Sequence, residues 1–136
     1  MLIIALSDIV QQKMILKIRS FSKWASKIGL TDALLTNAVR EMKCGLPDAN
    51  LGGGIVKKRI ALPGRGKRSS TRTLLATNFR SLWFFVFGFE KNEVENVSEK
   101  ELAALKMLAD DLLGMSAAEI QVAISKGSLV EVDDEK

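Results

Sequence analysis

Lys57 and Arg59 stand one residue apart, Arg72 follows a glycine-rich stretch, and Lys91 comes directly after the most apolar segment of the chain. Cations at such positions bind phosphate, and held rigidly they can also stabilise the charge that builds on phosphorus when a phosphodiester breaks. On an extended strand the period of two places Lys57 and Arg59 on one face, about 6 to 7 Å apart, while Lys58 shares the other face with Val56, Ile60 and Leu62. The spacing suits adjacent phosphates, or one phosphate and its attacking hydroxyl. An ordinary solvated sheet face carries the same pattern, so the residues alone leave both readings open.

The charge around these residues is lopsided. Between Asp48 and Glu90 lie 41 residues without a carboxylate, carrying Lys57, Lys58, Arg59, Arg65, Lys67, Arg68, Arg72 and Arg80. The net charge of +4 resolves into +3 for residues 1–48, +8 for the middle block and −7 for residues 90–136. Such a field points to a polyanion, bound largely through counterion release and therefore weakened steeply by salt. Gly66-Lys67 is followed by Arg68 rather than Ser or Thr, so the glycine-rich loop is not a nucleotide-binding P-loop.

Other chemistries are harder to build from this chain. It has no His, one Cys and no carboxylate cluster at ligand spacing, so no metal and no cofactor is expected. Cys44 cannot form an internal disulfide, fits a reducing compartment, and is expected to be a small buried hydrophobe. Residues 1–13 read as an N-terminal extension without the pattern of an export signal. The apolar run Leu82 to Phe89 falls far below the roughly 20 residues that span a bilayer, so a cytoplasmic protein without a membrane partner is expected.

The elements that must position the cations follow from periodicity. Residues 14–19 alternate as a strand; a short helix then begins at Ser20 or Ser22 and stops at Gly29. Thr31 and Asp32 offer cap oxygens to a second helix with its stripe on Leu34, Leu35, Ala38, Val39 and Met42. Ile55 to Leu62, Arg72 to Phe79 and Leu82 to Phe89 read as a three-strand meander with a long basic hairpin loop. The last strand, apolar on both faces, belongs inside the sheet under helices, and Trp24 and Trp83 are expected to pack in the core rather than stack on bases. Ser98 with Glu101 and Ser116 with Glu119 are capping boxes that open two C-terminal helices. A small sheet of this kind could bring Lys57, Arg59, Arg72 and Lys91 to one concave patch.

Taken in order, Gly52-Gly53-Gly54, Lys57-Lys58-Arg59, Gly64-Arg65-Gly66-Lys67, Thr71-Arg72-Thr73-Leu74 and Phe84 to Asn92 form more than a composition. With Phe21 to Leu30, Leu46-Pro47-Asp48 and Leu51, they resemble the RelE/ParE superfamily, specifically the HigB-like RelE toxins of bacterial type II toxin–antitoxin systems. The resemblance covers residues 14–132 and leaves 133–136 as an acidic tail. It implies an α+β fold, a small mainly antiparallel sheet with two N-terminal helices and C-terminal helices packed on it.

The resemblance further implies a metal-independent endoribonuclease, an mRNA interferase that cuts messenger RNA on the ribosome and so inhibits translation, with a cognate protein antitoxin as partner. By position, Lys57 and Arg59 match the family's paired basic strand residues, Arg72 its phosphate-stabilising arginine and Lys91 the basic residue after the last core strand. Arg65, Lys67, Arg68 and Arg80 would contact RNA. Many relatives place Tyr or His where an acid or base is useful; this chain has neither, which leaves Lys57 or Lys91 as candidate bases, or alignment and charge stabilisation alone. The acidic C-terminal third is expected at the back of the sheet, where it would help position the antitoxin. The alternative is a ParE-like toxin that cuts no RNA and inhibits a protein such as DNA gyrase, since one fold can host both activities.

Overall fold

The computed structural model describes residues 13–64, 71–90 and 97–133. Among these residues six strands form one sheet in the order β2-β3-β4-β5-β1-β6: β1 Met14–Ile18, β2 Ala49–Gly52, β3 Ile55–Ile60, β4 Thr71–Thr77, β5 Leu82–Glu90 and β6 Leu129–Glu131. Among the described residues only the β1 and β5 pair is parallel. Four helices among the described residues complete an α+β architecture: α1 Arg19–Ile28, α2 Asp32–Cys44, α3 Glu99–Leu113 and α4 Ala117–Lys126.

The expected meander is present as β3, β4 and β5, and β5 lies between β4 and β1 with both faces covered. One face of the sheet packs on α1 and α2 through Val56, Ile60, Leu75, Trp83 and Phe85. The other packs on α3 and α4 through Leu16, Ile55, Leu74, Ala76, Phe84 and Val86. Trp83 is fully buried, and Trp24 packs against the same cluster. A Cβ on Gly88 would lie 2.1 Å from the Trp24 ring, so that strand position must be glycine.

Helix boundaries follow the capping chemistry with two departures. Ser98 and Ser116 each accept the amide of the third helical residue while Glu101 and Glu119 reach back to the serine amides. Thr31 caps α2, but Asp32 is engaged elsewhere: its carboxylate accepts from the Lys17 ammonium at 2.7 Å and from the Asp133 amide at 2.8 Å. Helix α1 starts at Arg19 directly from β1 without a capping side chain. The Arg19 amide donates instead to the Ser128 carbonyl, which satisfies one of the orphan donors of the first turn.

Strands β2 and β6 had no signal of their own. β2 is four residues that pair with β3 through the Gly52-Gly53-Gly54 turn, and β6 is a three-residue edge held by β1. Cys44, expected in the core, is exposed at the end of α2, because the inward stripe of that helix runs through Leu35, Ala38, Val39 and Met42. Among the described residues no helix is long and apolar enough to cross a membrane.

Candidate nucleic-acid interface

Strand β3 carries the site, and its two faces divide the cations as the alternation requires. Val56, Lys58 and Ile60 face α1 and α2, and the Lys58 ammonium reaches Glu41 of α2 at 2.9 Å with its side chain largely covered. Ile55, Lys57 and Arg59 point to the opposite face. Register then decides what stands beside them: Lys57 pairs with Leu74 and Arg59 with Arg72 on β4. Three of the four expected site residues thus share one face of two adjacent strands. Arg59 and Arg72 stand directly across the strand pair, near enough for both guanidinium groups to meet one phosphate.

A bulge extends the site onto β5. Leu74 pairs with Phe87 while Leu75 pairs with Phe85, which leaves Val86 as the extra residue. The shift moves Phe87 and Phe89 to the face of Lys57 and Arg72, in two cross-strand rows, Lys57-Leu74-Phe87 and Arg59-Arg72-Phe89. Their rings lie 6.0 Å apart. Plain alternation along β5 would put Phe87 on the other face, which is why the sequence alone could not place this aromatic pair beside the cations.

Asp48, the residue before β2, fixes the end of the hairpin. Its amide donates to the Lys57 carbonyl at 2.9 Å, its Oδ2 accepts the Arg59 amide at 2.6 Å, and its Oδ1 lies 3.8 Å from the Arg59 guanidinium. The Arg59 side chain is 54% exposed, so it stays open to solvent despite the neighbouring carboxylate. Lys57 and Arg72 are half-buried.

The helices α3 and α4 occupy the same face as the cations, packed on its Ile55, Ala76 and Phe84 part. This corrects the expectation that the acidic C-terminal third forms the back of the sheet; α1 and α2 do that. The reason is the parity of β3, in which Ile55 belongs with Lys57 and not with Val56.

Of the remaining expected residues, Lys91, Arg65, Lys67 and Arg68 lie outside the described residues. Arg80 sits in the β4–β5 turn, where its amide is held by the Asn78 Oδ1 at 2.9 Å. That turn is at the far end of β4 from Arg72, roughly 17 Å of strand away, so Arg80 does not join the patch. Among the described residues no three His, Cys, Asp or Glu side chains converge as metal ligands.

A family model, the RelE toxin of the RelE/RelB toxin–antitoxin system, matches residues 13–132. The chain belongs to the RelE toxin family. No curated protein is similar enough to this RelE toxin to count as a match. Membership makes it a toxin of a toxin–antitoxin pair, with an antitoxin as its partner. The match runs through every described strand and helix, including the hairpin that carries Lys57 and Arg59 and the strand that carries Arg72.

Proposed function

We propose that this RelE toxin is an endoribonuclease that cleaves messenger RNA on the ribosome and so stops translation in the cytoplasm. The observation that carries the reading is the pairing of Arg59 with Arg72, with Lys57 two residues along on the same face. A guanidinium presents donors in a planar fork that matches phosphate oxygens. Two such residues across adjacent strands, with a lysine beside them, form a rigid anion cradle on sheet elements rather than on loops.

In the proposed reaction the ribose 2′-hydroxyl attacks the adjacent phosphorus and the 5′-oxygen of the next nucleotide leaves. The products are a 2′,3′-cyclic phosphate and a 5′-hydroxyl. The 2′-hydroxyl loses its proton and the leaving oxygen gains one, so the step needs no net redox change and no third reactant. Arg59 and Arg72 would hold the nonbridging oxygens and stabilise the charge that develops on the phosphorane, and strand alignment would bring the nucleophile in line. With no His or Tyr in the chain, proton transfer falls to a lysine, Lys57 or Lys91, or to water.

The test is to map the cut ends of a defined message after incubation with the purified toxin, with and without programmed ribosomes, and to identify the terminus. Ribosome-dependent cuts ending in cyclic phosphate are expected. Growth arrest without any RNA cut would overturn the nuclease reading and move attention to a protein target such as DNA gyrase.

A further inference from the structure

We infer that Lys106 of α3 is an RNA-backbone contact, and that the RNA runs along the β2–β3 hairpin from its glycine turn toward Arg59 and Arg72. The inference rests on the proposed RNA-cleaving function and adds to it the path of the substrate and a residue from the acidic third of the chain. Residues 90–136 sum to −7, so charge counting along the sequence argues against any RNA contact there. The fold places one of its cations where that count does not apply.

The placement is tight. Gly52, Gly53 and Gly54 all have positive φ, 84°, 61° and 84°. A Cβ on Gly53 would come within 2.7 Å of both Cγ and Cδ of Lys106, and one on Gly52 within 3.4 Å of its Nζ. The lysine stem therefore lies across the bare turn, over Gly53, and carries the ammonium out to Gly52. Neighbouring Leu51 and Ile55 pack in the cluster beneath α3, which fixes the face as that of Lys57 and Arg59.

Two consequences follow. A stem that is already packed loses little rotamer freedom when its ammonium meets a phosphate, whereas a free surface lysine loses much more. Lys106 is half-buried and, among the described residues, its ammonium has no carboxylate partner to be displaced. Gly52 pairs with Ile55, and Lys57 follows two residues later. Lys106, Lys57 and Arg59 thus succeed one another along the hairpin, a line of cations that a single-stranded backbone can track.

The experiment measures binding of the full-length toxin to a fluorescent single-stranded RNA whose riboses are 2′-O-methylated, so that it cannot be cleaved, across a salt series. Lys106→Met keeps the stem and removes the charge; Lys106→Arg restores the charge; Lys126→Met removes an exposed lysine at the end of α4 as a control. The inference expects Lys106→Met to bind about three- to tenfold more weakly at low salt and to lower the slope of log K against log salt by about 0.7, with Lys106→Arg near wild type and Lys126→Met unchanged. Equal binding and slope for Lys106→Met, from a toxin whose binding still falls with Arg72→Ala, would overturn this inference and leave the proposed function standing. Binding that is insensitive to both salt and Arg72→Ala would overturn both.

Discussion

Lys57 and Lys58 are adjacent in the chain yet stand on opposite faces of the sheet, one beside the Arg59–Arg72 pair and the other bonded to Glu41 of α2 at 2.9 Å. Alternation along β3 thus separates a lysine of the candidate site from a lysine held by a helix. Lys57→Met should reduce RNA cleavage by about tenfold or more in a protein that still folds. Lys58→Met should leave cleavage intact. Initial cleavage rates beside thermal melts of the two variants check the parity directly.

Asp48 ties the hairpin to the site through the Arg59 amide at 2.6 Å. Asp48→Ala should destabilise the fold by about 1 kcal/mol, since the lost bond was charge-assisted but partly exposed. Asp48→Asn, which keeps an acceptor, should lose less. Denaturant midpoints at constant slope measure both, and an alanine variant as stable as wild type would show that β3 holds its register unaided.

The contact between Gly88 and Trp24 predicts a steric effect. With the added Cβ 2.1 Å from the indole, Gly88→Ala should cost about 1 to 3 kcal/mol. Trp24→Leu should cost stability by itself, and the double variant should be less destabilised than the two single effects summed, because the smaller side chain makes room. A double-mutant cycle by thermal or chemical unfolding gives the coupling.

Each capping box should contribute about 1 kcal/mol, so Ser98→Ala and Ser116→Ala should both lower stability, and their effects should add, the two helix starts sharing no partner. Unfolding curves of the single and double variants test this.

What could be read from the residues and what could not divides along physical lines. Helix ends were legible because Ser98, Ser116, Thr31, Gly29 and Gly127 act on their immediate neighbours. The cations of β3 were legible because alternation is a local rule. Strands β2 and β6 were not, since four and three residues carry too little pattern and exist only through their partners. Phe87 and Phe89 were hidden by a bulge whose location depends on the register with β4. Lys106 was hidden by the charge of its own segment and found only where α3 crosses the glycine turn.

The most direct test of the account is Arg72→Ala in a primer-extension assay on a defined message with programmed ribosomes, beside wild type and Lys58→Met. If the Arg59–Arg72 pair stabilises the phosphorane, the alanine variant should fold as wild type, still bind the antitoxin, and cleave about 10²- to 10³-fold more slowly, with Lys58→Met unaffected. Wild-type cleavage by a folded Arg72→Ala protein would contradict the account and place the chemistry elsewhere on the molecule.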